Sequence, residues 1–266
     1  MFYLKIRIGF IQFAKLENKN LNVKKMRKLL LRIKNSRIVC LPEAWIGKGE
    51  ILTNRELKEI YSLFGEIAAK RSFYLLLGGL LIQREDKVFS SCPILNDKGE
   101  VEGFTDKLFP SLAVGERSFC SFGETLNVFS VDEVKFGVAI CVDAFYPEIV
   151  RSLALKGAKI IFNPSVIPLD RINLWKCIGR VRAAENTVFY AFINNTLTTY
   201  PDGRRVAGQS YVTNPNGDLI FQAGEEEGVF ELDLDLSQID EIRKRWPYLS
   251  DIKKRRFTFQ IKPIKQ

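Results

Sequence analysis

The sequence predicts an α/β fold, a four-layer α-β-β-α sandwich with internal pseudo-twofold duplication. Three observations carry the prediction. Short apolar, β-branched runs alternate with helical patterns, as in sheets covered by helices. Four segments of the first half recur in the same order in the second. No linker, low-complexity tract or composition break interrupts the 266 residues. One domain over 1–266, with a basic tail at 251–266, is therefore expected.

The elements follow in order. The strand IRIGFIQ (6–12) matches VKFGVAI (134–140), Gly9 with Gly137. Val23, Met26, Leu30 and Ile33 then share a helix face, and PEIVRSLALKG gives the second half its helix. RIVCLPEAW (37–45) matches KIIFNPSVI (159–167), Pro42 with Pro164. Second helices are NRELKEIYSLFGEIAAKR and RINLWKCIGRVRAAEN. FYLLLGG (73–79) matches FYAFINN (189–195), and the hairpin signal LNDKGEV (95–101) matches TNPNGDL (213–219). The offsets are 128, 122, 116 and 118 residues. Each half thus reads strand–helix–strand–helix–strand–hairpin, and two such sheets stack face to face with helices outside.

Composition narrows the chemistry. Hydrophobic residues at 46% suffice for a large core, and no apolar stretch has the length of a membrane span. A cytoplasmic protein with no membrane partner is expected. Five cysteines, Cys40, Cys92, Cys120, Cys141 and Cys177, form no CxxC pair. Their odd number argues against a disulfide scaffold and a zinc site. The chain contains no histidine, which excludes Ser–His–Asp triads, Cys–His dyads and His-ligated metals. No cofactor or metal is expected, and the base for any catalytic cysteine must be a carboxylate or a lysine. The net charge of +9 gathers partly in the tail and in KKMRKLLLRIKNSR. A solvated helix face and tail account for it better than nucleic acid, for which no phosphate loop or RNA-reading signature is present.

Ligands of open α/β sheets collect at the carboxyl ends of strands. Glu43 follows RIVCLP, Cys141 ends VKFGVAI and Lys107 follows VEGFTD. Singly, each has an ordinary reading: a core cysteine, a turn carboxylate, a surface lysine. Together they supply a nucleophile, a base for its proton and a cation for an oxyanion. The helix beginning near Pro147 would add a favourable dipole at the thiolate.

LPEAW, FTDKLFP and AICVDAFYPE, in that order, resemble the nitrilase superfamily of carbon–nitrogen hydrolases. Its Glu–Lys–Cys triad falls on Glu43, Lys107 and Cys141, the cysteine in a CxDxxxPE-like context with Asp143, Pro147 and Glu148. VRAAENTVFYAFIN and GQSYVTNPNGDLI extend the resemblance from about Ile8 to Leu232. The family's α-β-β-α sandwich agrees with the duplication. A second glutamate of many members matches Glu116, whose ordinary reading is a salt bridge with Arg117. Val142 and Phe145 depart from the family's common residues, and its histidine after the lysine is missing.

The resemblance implies hydrolysis of a small amide, or less often a nitrile, through a Cys141 thioester. Lys107 and the Val142 N–H would stabilise the oxyanion. The same thioester would serve an acyltransferase, and a non-catalytic scaffold on this fold is the rival outside enzymology. Assembly as a homodimer or larger homo-oligomer is also implied. Candidate pocket residues are Val142, Phe145, Trp45 and Arg171, with Phe109 and Trp175 as further aromatics and Arg117 as a second cation for a substrate carboxylate. Core packing is the competing reading for each aromatic.

Overall fold

Strand β1 (Lys5–Ala14) sorts its side chains onto two faces: Ile6, Ile8 and Phe10 enter one core, Ile11 and Phe13 another. This is the period of two that a pleated strand imposes. The computed structural model describes residues 5–206 and 208–255. Residues 256–266 of the basic tail lie outside the described residues.

After β1 come α1 (Lys19–Leu30), β2 (Ile38–Cys40), β3 (Ile51–Leu52), α2 (Asn54–Arg71), β4 (Tyr74–Leu76), β5 (Leu80–Arg84), β6 (Lys87–Leu95) and β7 (Val101–Asp106). The second half holds β8 (Val128–Val131), β9 (Val134–Val138), α3 (Pro147–Leu155), β10 (Ile160–Ser165), α4 (Ile172–Asn186) and β11 (Phe189–Thr196). It continues with β12 (Thr198–Thr199), β13 (Arg205–Val206), β14 (Tyr211–Thr213), β15 (Leu219–Gln222) and β16 (Gly228–Asp235). Helices α5 (Ser237–Arg245) and α6 (Tyr248–Lys254) close the described chain. No helix among the described residues is long and apolar enough to cross a membrane.

Local chemistry sets the helix ends. Thr53 and Glu56 form a reciprocal capping box at the start of α2. Pro147 stands in the first turn of α3, where its missing N–H costs nothing.

The first sheet runs β3-β5-β6-β4-β2-β1, with β7 on β6 and β16 on β1. The second runs β11-β10-β9-β8, with β14 and β15 beyond β11. A short β1–β11 pairing, Phe13↔Asn195 and Ala14↔Thr196, joins them. Ile11, Phe13, Val39, Leu41 and Leu75 meet Met26 and Leu30 of α1 and Ile60 and Phe64 of α2 in one cluster. Their neighbours on the opposite face join Phe136, Val138, Ile160 and Phe162 and, beyond that sheet, Val150 and Leu153 of α3. Phe10 of β1 meets Phe221 of β15 edge-on at 5.6 Å across the two sheets. The layers are therefore helix, sheet, sheet, helix. Each large side chain so buried contributes about 1.5–3 kcal/mol over its exposed state.

The duplication extends to single bonds. Arg37 N–H donates to Arg7 O, as Lys159 N–H does to Lys135 O. Ile8 pairs Ile38 as Phe136 pairs Ile160. Leu75 pairs Leu95 as Tyr190 pairs Thr213. One offset needs correction. The left-handed caps Ser72 and Thr187, and the bonds Tyr74 N–H to Arg37 O and Phe189 N–H to Lys159 O, match Phe73 with Val188. The repeated letters FY had aligned this segment one residue too late.

Candidate active site

β9 ends at Val138, and the chain turns sharply at Cys141, whose φ of 47° lies in the left-handed region. That backbone is costly for any residue but glycine. Two groups hold the turn. Asn163 Nδ2 donates to Ala139 O at 2.5 Å and to Cys141 O at 3.1 Å. Asp143 accepts the N–H groups of Leu108 at 2.9 Å and Phe109 at 3.0 Å, tying the nucleophile turn to the lysine loop. Burial pushes the Asp143 carboxyl up to about 7, against the pull of those two bonds. A 3-10 turn over Cys141–Phe145 stands between the cysteine and α3. The N-terminus nearest the sulfur is that of this turn, not of the helix starting at Pro147.

Glu43 leaves β2, and Ala44 after it takes a φ of 49°. Ala44 N–H donates to Gly79 O at 2.7 Å, and Asn195 Nδ2 donates to Glu43 O at 2.6 Å. A side chain at Gly79 would put its Cβ 2.9 Å from Glu43 Cγ and 3.0 Å from Ile140 Cγ2. Only glycine lets these two strand ends approach so closely.

Lys107 follows β7 and is almost wholly enclosed, at 1% exposure. Its Nζ donates to Glu43 Oε1 and to Glu116 Oε2, both at 2.8 Å. Glu43 Oε2 also accepts Val166 N–H at 3.1 Å, and Glu116 Oε2 accepts Ser111 N–H at 2.6 Å. Glu116 is thus turned to Lys107 rather than to Arg117, whose Nε donates to Pro110 O.

The charges follow from burial and neighbours. Burial opposes the Lys107 ammonium, but Glu43, Cys141 and Glu116 outweigh it and hold its pKa well above the usual lysine range. Burial raises the Glu43 carboxyl, while Lys107 draws it back down. The Cys141 thiol is pushed well above its usual range by burial first and by Glu43 second. At rest the cysteine therefore carries its proton, beside a carboxylate of enhanced basicity.

These four side chains line one cavity of about 210 Å³. Leu81, Val114, Phe119 and Tyr200 form much of its remaining wall, and Lys15 and Lys48 also face it. The expected pocket residues fare differently. Trp45 is buried on the helix side of the first sheet, 5.4 Å from Phe64, with Nε1 donating to Leu77 O at 2.7 Å. Phe145 packs on Trp175 at 4.6 Å and Phe109 stacks on Tyr146 at 4.0 Å. Arg171 is exposed before α4. None of these lines the cavity, so core packing is the role of the aromatics. Val142 is half-buried and follows the cysteine in the 3-10 turn.

Lys15 and Tyr200 were missed by sequence reasoning, while Lys48 lies in the stretch AWIGKGE after Glu43, which the sequence offered as a pocket wall. The signal for Lys15 was its place just past β1, three residues beyond the end of the strand IRIGFIQ (6–12) read from the sequence. Glu43 and Cys141 both leave carboxyl edges, but from non-equivalent strands: the second of one half and the first of the other.

Comparison with known proteins agrees with this architecture. The chain is 28% identical over 226 residues to a 2-oxoglutaramate amidase of Bacillus subtilis, covering 83% of this chain and 86% of that protein. An omega-amidase NIT2-B of Xenopus laevis is 27% identical over 261 residues, covering 91% and 93%. A crystal structure of a carbon-nitrogen hydrolase from Helicobacter pylori G27 shares the fold with a TM-score of 0.85 at 22% identity, over 94% of this chain and 95% of that one. The carbon-nitrogen hydrolase family model matches residues 7–244, and the chain belongs to that family.

Proposed function

We propose that this cavity hydrolyses a small amide, with Cys141 as nucleophile. The observation that carries the reading is Lys107 Nζ held at 2.8 Å from both Glu43 and Glu116 in the cavity that Cys141 faces. A surface lysine or a capping glutamate has no use for such a buried arrangement, since its desolvation needs compensation.

Glu43 takes the thiol proton as sulfur attacks the amide carbon. The Lys107 ammonium and the Val142 N–H stabilise the oxyanion, and the amine leaves with a proton from Glu43. Water, activated by Glu43, then cleaves the Cys141 thioester and releases the acid. Glu116 keeps Lys107 aimed and charged. The relatives named as amidases favour the amide over the nitrile.

The test is intact-mass spectrometry after exposure to pooled small amides, with peptide mapping. Glu43→Gln should slow both steps and still yield an acyl adduct on Cys141, absent from Cys141→Ala. Steady amide turnover by Cys141→Ala, or an adduct on another residue, would sink the assignment.

A further inference from the structure

The chain at Lys107 is held from two directions. Lys107 N–H donates to Ser90 O of β6 at 2.8 Å, and Lys107 O accepts Gly123 N–H at 2.9 Å. The next two residues are tied to the other sheet's turn instead. Leu108 N–H donates to one oxygen of Asp143 at 2.9 Å, and Phe109 N–H donates to the other at 3.0 Å. Asp143 stands two residues past the nucleophile, in the 3-10 turn that Cys141 opens. One carboxylate therefore couples the positions of Lys107 and Cys141.

That coupling depends on a proton. Both oxygens of a carboxylate accept, whereas a protonated carboxyl turns one of them into a donor. The new O–H would face a backbone N–H, and one of the two bonds would be lost. Asp143 is 1% exposed, so bulk water does not replace that bond. Burial raises the carboxyl to about 7, the two N–H groups and Lys107 draw it down, and Glu43 pushes it up. Cys141, on the same turn, carries its proton. Arg182 of α4 directs its guanidinium to Ala144 O, Phe145 O and Glu185. On α3, Glu148 is exposed and Arg151 lies near Arg182 and Glu185. Strand β10 carries no ionisable side chain.

We propose that Asp143 is a positioning residue whose ionised form alone holds Cys141 and Lys107 in working register, so that Cys141 loses reactivity when Asp143 takes up a proton. The inference rests on the reading of Cys141 as nucleophile and adds an acid limit that belongs to Asp143. Protonation of Glu43 would also quiet the site at low pH, and Asp143→Asn separates the two. A carboxamide has one acceptor atom and one donor atom, so it mimics the protonated acid at every pH. Removing a negative charge near a thiol favours its thiolate and speeds its reactions, whereas loss of register slows them. An electrostatic role and a positioning role thus predict opposite signs.

Two measurements test this, and neither needs turnover. Proton–nitrogen NMR follows the Leu108 and Phe109 amides, and mass spectrometry with peptide mapping follows alkylation of Cys141 by iodoacetamide. Both amide signals should move with a midpoint at about pH 7 in wild type and stay still in Asp143→Asn. At about pH 8.5 the variant should be alkylated about tenfold more slowly than wild type, as expected for one lost hydrogen bond to a charged group; at about pH 5.5 the rates should converge. The ratio at each pH cancels the titration of the thiol and of Glu43, which both proteins share. Wild-type amide signals that stay still over this range, a ratio that does not change with pH, or a variant alkylated at least as fast as wild type at the higher pH would overturn the inference. If the variant does not fold, the wild-type amide titration decides. Failure of the hydrolase reads differently: Cys141 would be alkylated by iodoacetamide yet never acylated by the pooled amides, while both pH readouts stood.

Discussion

Asn96 closes the β6–β7 turn by accepting the N–H groups of Lys98 and Glu100, and Asn214 closes the β14–β15 turn by accepting those of Asn216 and Asp218. Both hairpins carry a register shift at the same place, between Ile94 and Leu95 and between Val212 and Thr213. At the carboxyl ends this equivalence stops. The position in register with Cys141 is Phe13, buried against Trp45 at 6.4 Å. The counterpart of Glu43 is Ser165, a buried hydroxyl that donates to Asn163. The counterpart of Lys107, one residue past the matched ladder, is Glu225, which pairs with Arg205 on the surface. The repeat supplies two rigid sheets, and the candidate chemistry occupies positions where the halves differ. Function-bearing ends on a shared scaffold can diverge in this way because a fold does not dictate the chemistry grafted onto it.

The sharpest way to break the comparison is to mutate counterparts together. Cys141→Ala should lower amide turnover by at least about 10⁴-fold, the scale of nucleophile removal in hydrolases, with little change in the urea midpoint. Phe13→Ala should do the reverse in kind, costing about 3–5 kcal/mol of stability through the cavity it leaves. Turnover retained by Cys141→Ala would make its position as structural as that of Phe13.

Next in size is the pair Lys107 and Glu225. Lys107→Ala leaves the Glu43 and Glu116 carboxylates buried without their cation and should cost about 3–5 kcal/mol in denaturant unfolding, along with activity. Glu225→Ala removes one partner of an exposed pair and should stay within about 0.5 kcal/mol. Equal losses would mean that the buried cluster serves stability no more than the surface pair does.

The sequence displayed the repeat because glycines, prolines and turn residues fall at matching strand ends, and the Glu43, Lys107 and Cys141 candidates stood out through their flanks. What it hid has physical causes. Ser72 and Thr187 take left-handed backbone without being glycine, so the caps that set the third match left no mark in composition. Trp45 follows Glu43 closely in sequence, but the left-handed turn at Ala44 sends it into the opposite core. Aromatic character alone does not tell a pocket wall from packing. Lys15 was obscured because β1 continues to Ala14 through pairing with β11, a long-range contact that local alternation does not encode.

The smallest effect concerns the hairpin glycines, where the halves look most alike. Gly99 and Gly217 both have positive φ, 83° and 84°, so alanine at either should cost about 1–2 kcal/mol from backbone alone. Their neighbours differ. A Cβ at Gly99 would lie 2.5 Å from Gly65 O, a helix carbonyl that cannot swing aside. A Cβ at Gly217 would lie 2.9 Å from Arg180 O. Arg180 is the counterpart of Gly65, and its Nε donates to Gly217 O at 2.8 Å, which props the second hairpin off its helix. Gly99→Ala should therefore destabilise more than Gly217→Ala in urea titrations. Equal midpoints would show that a side chain at position 180 does not set the spacing and that the two hairpins are energetically interchangeable. A larger loss for Gly99 would place the difference between the halves in helix–hairpin contact as well as at the strand ends.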